Sequence, residues 1–291
     1  MNDEQPPPYG TTQPDAPAAA SGGPTRKRIR THHLQQMREA GERFAMLTTY
    51  DQYTAGIFDS AGIEVLLVGD SAGNNVYGYS TTVPVTVDQL IPLTAAVSGA
   101  VTRALVVGDL PFGSYQASPE QAYLTAARFM KEGGAHCVKL EGGVAMAPQI
   151  ERLSQGGIPV MAHLGFTPQS EHALGGYRVQ GRGDAVEALL ADARAVRDAG
   201  AFAVVLEMVP TEAAARVTAE VGIPTIGIGA GVECDGQVLV WPDAFGLRTG
   251  RIPRFVKQYA DLHGALLEGA RAFADDVRNG TFPAPEHSFE S

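Results

Sequence analysis

Cysteine is almost missing from this chain of 291 residues, which holds only Cys137 and Cys234. Two distant cysteines cannot build the disulfide framework of a small secreted domain, and the pattern fits a reducing cytoplasm. Cys137 lies inside an apolar run, residues 135–140, and reads as a small buried hydrophobe rather than a nucleophile. Basic charge is also short: Lys and Arg total 22 against 32 Asp and Glu, a formal net charge of −10. That deficit argues against nucleic acid as a partner, because a phosphate backbone is held by clustered cations. The main basic run (Arg26, Lys27, Arg28, Arg30) reads as a solvated linker. No apolar run reaches the roughly 18 residues a membrane-spanning helix needs. The N-terminus has neither the basic start nor the apolar core of a signal peptide, so a cytoplasmic location is expected.

Large apolar side chains are scarce at the N-terminal end. Residues 1–25, rich in Pro, Ala, Gly and Thr, cannot bury enough surface to offset chain entropy and are expected to be a disordered tail. Residues 281–291 read as a shorter loose end, which leaves 26–280 as one catalytic domain. Within it, β-rich runs recur at 44–49, 63–69, 104–108, 135–140, 158–162, 201–206, 223–228 and 237–241. Amphipathic stretches of helical period, such as 86–100, 119–132 and 184–199, separate most of them. Near-continuous apolar strands alternating with helices predict an α/β fold with a covered parallel sheet. Eight runs favour closure into a TIM (β/α)₈ barrel, with an extra helix at about 30–40 closing its N-terminal end. The competing open, doubly wound sheet often carries a Gly-rich fingerprint after its first strand. Here that strand runs into Thr48-Thr49-Tyr50-Asp51-Gln52, with no glycine.

A barrel concentrates its chemistry where strands end. The second strand ends at Asp70-Ser71, the third at Asp109, the fourth at Lys139-Leu140-Glu141, the fifth at His163 and the sixth at Glu207. Each has a structural reading when taken singly: Asp70 as a helix cap, His163 as a satisfied core histidine, Glu207 as an ion-paired rim residue. Their convergence weakens those readings. Four carboxylates and a lysine around one mouth would repel strongly unless a cation neutralised them. Asp70, Asp109 and Glu141 form a hard-oxygen set without a Cys/His cluster, which suits Mg²⁺ better than Zn²⁺. Lys139 and Glu141 are two apart on one strand and share a face, so one can meet an anionic substrate while the other reaches the ion. The glycine-rich segment 226–231 fits either backbone phosphate binding or close packing. The long connection from Gly165 to Gly183 is a candidate lid or cosubstrate loop.

These residues sit in ordered segments: Met46-Leu47-Thr48-Thr49-Tyr50-Asp51, Val68-Gly69-Asp70-Ser71, Gly108-Asp109-Leu110-Pro111-Phe112 and Val138-Lys139-Leu140-Glu141-Gly142. His163-Leu164-Gly165-Phe166-Thr167-Pro168-Gln169, Leu174-Gly175-Gly176-Tyr177 and Cys234-Asp235-Gly236-Gln237 follow. Together they resemble the ketopantoate (3-methyl-2-oxobutanoate) hydroxymethyltransferase family of pantothenate biosynthesis, across residues 25–280. The resemblance implies a Mg²⁺-dependent barrel enzyme, a homo-oligomer and in the family a decamer. Its reaction would carry a hydroxymethyl group from 5,10-methylenetetrahydrofolate to 3-methyl-2-oxobutanoate through a metal-stabilised enolate, giving 2-dehydropantoate. Carried onto this chain, it makes Asp70, Asp109 and Glu141 the metal ligands. Asp70, Ser71, Asp109 and Lys139 become substrate contacts, Glu207 the general base and His163 a supporting residue. Phe166 departs from the pattern, standing where an aliphatic residue is expected. The related phosphoenolpyruvate-type lyases carry a cysteine on a mobile Lys-Lys-Cys-Gly-His-like loop, and no such run is present.

Overall fold

The computed structural model describes residues 27–289. The expected tail, 1–25, lies outside them, as do Arg26 of the basic run and the last two residues of the expected C-terminal end. Helix α1 (Thr31–Ala40) precedes strand β1 (Phe44–Thr48), and α2 (Gln52–Ala61) leads to β2 (Val65–Val68). The short α3 (Ala72–Asn75) and then α4 (Val87–Ala100) connect to β3 (Leu105–Asp109), and α5 (Pro119–Lys131) to β4 (Cys137–Glu141). Helix α6 (Ala147–Gln155) precedes β5 (Val160–Gly165); α7 (Glu171–Leu174) and α8 (Ala185–Asp198) precede β6 (Ala203–Glu207). Helix α9 (Thr211–Val221) reaches β7 (Thr225–Ile228), and β8 (Gly236–Leu239) follows directly, with no helix between. Two more helices, α10 (Trp241–Ala244) and α11 (Leu262–Asn279), end the fold.

The strands pair in sequence order, all parallel, and β8 closes on β1. The sequence reading of a (β/α)₈ barrel therefore holds. Alternation within each strand sorts the apolar side chains. Phe44, Met46, Val65, Leu67, Leu105, Val107, Cys137, Met161, Ala203, Val205 and Val238 share one cluster inside the barrel. Their neighbours, such as Leu66, Val106, Val138, Leu140 and Val204, face outward and meet the helices. Each fully buried side chain of this size contributes about 1.5–3 kcal/mol. Gly108 shows how closely the outer layer sits, since a Cβ there would lie 2.6 Å from the Phe129 ring of α5. Ile29 and Leu34 join the interior cluster from below, so α1 does plug the N-terminal end.

One difference from the sequence reading has a local cause. The fifth strand runs from Val160 to Gly165 rather than over 158–162. Pro159 has no N–H for the ladder, and Met161 to Gly165 all find partners on β6, so the paired stretch shifts towards the mouth. Helix α11, although amphipathic, buries none of its residues against the barrel, and Leu266, Phe273 and Val277 are exposed.

Candidate active site

The same alternation that fills the barrel with apolar side chains sets up its mouth. On β3, Leu105 and Val107 point inward, so Asp109 does too; on β4, Cys137 is followed by Lys139 and Glu141. Met161 is followed by His163 on β5, and Ala203 and Val205 by Glu207 on β6. Asp70 and Ser71 occupy the turn between β2 and α3. Asp70, Ser71, Asp109, Lys139, Glu141, His163 and Glu207 line one cavity of about 730 Å³. A smaller cavity of about 310 Å³ opens beside Ile29, His33 and Met37, away from the acids.

Asp70, Asp109 and Glu141 each have one oxygen fixed by the protein. Asp109 Oδ2 accepts the Asp70 backbone N–H at 2.9 Å. Glu141 Oε2 accepts the Gln169 backbone N–H at 3.0 Å, and Asp70 Oδ2 accepts Gln169 Nε2 at 3.0 Å. The second oxygens differ. Asp109 Oδ1 and Glu141 Oε1 are buried and lack a hydrogen bond, although Lys139 Nζ stands 2.9 Å from the former as an ion pair. His163 spans the mouth: Nδ1 lies 3.3 Å from Lys139 Nζ and 3.4 Å from Glu141 Oε1, and Nε2 lies 3.2 Å from Glu207 Oε2. Gly165 keeps the next loop pressed onto Glu207, because a Cβ at its φ of +91° would collide with the Glu207 carbonyl oxygen. Phe166 N–H then donates to that oxygen at 2.8 Å.

Burial dominates the electrostatics. It pushes the Asp109 carboxyl up to about 7 despite the Lys139 ammonium, with Asp70 and Glu141 adding to the rise. Burial also raises Glu141. For Lys139 burial opposes the charge, but Asp109, Asp70 and Glu141 outweigh it and raise the ammonium. Burial and Lys139 both disfavour a charged His163 ring, yet Glu141 and Glu207 prevail and push it up to about 9. The mouth is a strongly coupled set of charges in a low-dielectric wall.

The residues singled out from sequence thus converge, and Asp70 does not cap α3, since its carboxylate meets Gln169 instead. Three participants escaped the sequence reading. Gln169 and Tyr115 are buried beneath the acids, with the Tyr115 hydroxyl donating to Gln169 Oε1 at 2.8 Å. Tyr50 places its hydroxyl 2.8 Å from Ser71 Oγ, and burial pushes that phenol up to about 12. Gln169 carried a faint signal, as a polar residue just past a strand end in a Thr-Pro-Gln run. Nothing local marks Tyr115. In the glycine-rich segment close packing accounts for the glycines: a Cβ on Gly229 would strike Phe255 and one on Gly231 would strike Thr211. Phe166 is fully buried and packs on Tyr177, ring centroids 4.7 Å apart, so its departure affects packing of the 165–183 connection.

Among the described residues no three Asp, Glu, His or Cys groups form a ready-made metal cage. A hard cation that keeps waters and borrows substrate oxygens needs only one or two carboxylates. Asp109 Oδ1 and Glu141 Oε1, buried and without a hydrogen bond and faced only by the movable Lys139 and His163 side chains, fit that requirement.

A closed parallel barrel with charged groups gathered at the C-terminal ends of its strands is the architecture of a (β/α)₈-barrel enzyme. The chain belongs to the ketopantoate hydroxymethyltransferase family, whose model matches residues 28–285. It is 69% identical to the 3-methyl-2-oxobutanoate hydroxymethyltransferase of Nocardioides sp., covering 99% of this chain and 98% of that protein. It is 67% identical to the same-named protein of Saccharopolyspora erythraea, covering 94% and 93%. Among solved structures it resembles phosphonopyruvate hydrolase in complex with oxalate and Mg++ (TM-score 0.57, 10% identity, 89% of this chain and 93% of that one). It also resembles 2,3-dimethylmalate lyase (TM-score 0.55, 18% identity, 88% and 92%). At such identities the likeness is one of fold alone.

Proposed function

We propose that this chain transfers a hydroxymethyl group from 5,10-methylenetetrahydrofolate to 3-methyl-2-oxobutanoate, giving 2-dehydropantoate, with Mg²⁺ as its cation. Family membership supports the reaction. The observation that carries the site assignment is the His163 bridge. Its ring joins Glu207 on one side to Glu141 on the other, with the Lys139 ammonium 3.3 Å from Nδ1, so a base and a charged clamp stand one imidazole apart.

The C3 proton of the keto acid is too weakly acidic to leave unaided. Lys139 Nζ offsets the substrate carboxylate, and Ser71 Oγ offers it a neutral hydrogen bond. Glu207 removes the C3 proton, and the bonding pair moves between C3 and C2 as negative charge develops on the 2-oxo oxygen. A divalent cation held by Asp70, Asp109 and Glu141 would supply positive charge for that oxygen when bound. The nucleophilic C3 then bonds to the folate-borne methylene carbon as its bond to one folate nitrogen breaks; a water oxygen replaces the second carbon–nitrogen bond and becomes the hydroxyl, and tetrahydrofolate leaves with one proton taken from C3 and one from that water. His163 Nε2 steadies the Glu207 carboxylate through this sequence.

The decisive experiment needs no folate. Protein, Mg²⁺ and 3-methyl-2-oxobutanoate are mixed in D₂O and the C3 proton is followed by NMR. Its signal should fade at a rate that depends on Mg²⁺; a signal that persists as in buffer alone removes enolisation from this site.

A further inference from the structure

Gln169 touches none of the atoms given a chemical role above, yet all its hydrogen-bonding groups except its carbonyl are engaged at the site. It is 4% exposed. Its backbone N–H donates to Glu141 Oε2 at 3.0 Å. Its side-chain Nε2 donates to Asp70 Oδ2 and to the Leu110 carbonyl oxygen, both at 3.0 Å. Its Oε1 accepts from the Tyr115 hydroxyl at 2.8 Å and from Gln116 Nε2 at 3.3 Å. The direction of the amide is fixed by chemistry. A carbonyl oxygen and a carboxylate oxygen can only accept, so the end facing Leu110 and Asp70 must be the NH₂. The Tyr115 hydroxyl in turn accepts the Glu141 backbone N–H at 3.1 Å, which directs its own proton towards Gln169. This one residue, through its side chain and its backbone N–H, therefore links the ends of β2, β3 and β4.

We infer that Gln169 is the positioning residue of this site, holding one oxygen of Asp70 and one of Glu141 so that the other oxygen of each stays turned to cation and substrate. A carboxylate with both oxygens free rotates and samples many bites; one with a tied oxygen presents a single direction. Asp109 is tied in the same manner by the Asp70 backbone, so fixing Asp70 through Gln169 also helps fix Asp109. Tyr115 acts one step further out, by keeping the amide from turning over. The inference rests on the proposed function for which oxygens are used, but it is testable without turnover. Partners that orient metal ligands typically control about 10–100-fold in metal affinity.

The test uses the full chain, with Mn²⁺ as the probe and its free ion counted by electron paramagnetic resonance. Gln169→Met keeps length and removes the side-chain link to Asp70 and Leu110 while leaving the backbone N–H on Glu141; it should weaken Mn²⁺ binding by about tenfold or more. Tyr115→Phe should weaken it by less. Because both act through the same amide, the double variant should bind no worse than Gln169→Met alone. A folded Gln169→Met protein that binds Mn²⁺ within about twofold of the wild type overturns the inference, as does multiplication of the two effects in the double variant. Should Gln169→Met not fold, Tyr115→Phe decides the question, and unchanged binding there overturns it. A wild type that binds no Mn²⁺ overturns it as well. Failure of the proposed function would appear separately, as Mn²⁺ binding by the wild type without exchange of the C3 proton.

Discussion

The two ends of the barrel use the same residue types in opposite ways. At the closed end, Asp59 accepts backbone N–H groups of Thr102, Arg103 and Ala104 at 2.7–3.2 Å. Glu64 accepts the Ala45 N–H at 3.0 Å and pairs with Arg103 at 3.0 Å. Asp235 accepts the Thr225 N–H at 2.8 Å and its hydroxyl at 3.1 Å. At the open end Asp70, Asp109 and Glu141 are more deeply buried, at 4%, 0% and 5% exposure. There Asp109 and Glu141 each keep an oxygen without a hydrogen bond. Stability alone would predict the reverse, since an unsatisfied buried acid is the costlier one. The inversion separates the two roles: closed-end acids hold loops to strand starts, and open-end acids wait for what binds there.

Substitutions at the two ends should therefore fail in different ways. Glu207→Gln has the largest expected effect: a fall of about 10²–10⁴-fold in kcat, the usual contribution of a general base. Keto-acid binding and thermal unfolding should change little, because Glu207 is the rim partner of His163 and no core contact is lost. Retention of near-normal C3 proton exchange in this variant would remove Glu207 from the base role. Asp59→Ala is the counterpart. It strands three backbone N–H groups, and denaturant unfolding should show a loss of about 1–3 kcal/mol. The kcat of the folded protein should stay within about twofold, a surface-type result for the chemistry. A tenfold loss of kcat in folded Asp59→Ala protein would break the division between the ends.

The division also explains what could be read from the chain alone. The barrel and its inward residues were legible because a strand's period of two carries Cys137 to Lys139 and Glu141, and Val205 to Glu207, with no tertiary knowledge. Alternation cannot say which acids are satisfied. Asp59 and Asp70 look alike in sequence, and only the fold brings three N–H groups to one and a glutamine to the other. Gln169 and Tyr115 stayed hidden for the same reason, being 54 residues apart and meeting across strands. The shift of β5 was missed because periodicity ignores the N–H that Pro159 lacks.

The last expected effect lies in the pH dependence of stability, and it sharpens the comparison at a single ring. The His163 pKa is pushed up to about 9 in the folded chain from an ordinary 6.5, with burial and Lys139 opposing and Glu141 and Glu207 prevailing. A folded-state pKa above the unfolded one means that the folded chain holds the proton more tightly. The stabilisation is full below pH 6.5 and is lost as pH rises through 9. For one proton the slope is at most roughly 1.4 kcal/mol per pH unit. Asp109, raised to about 7 by burial, works in the same direction over the lower range, from its ordinary 3.8 upward. Urea unfolding without divalent cation should therefore show wild type losing more stability between pH 6.5 and pH 9 than His163→Asn does. Equal losses in the two proteins would mean that the ring is neutral throughout. It would then accept a hydrogen bond from Lys139 at Nδ1, and Glu141 and Glu207 would not be holding a cation between them.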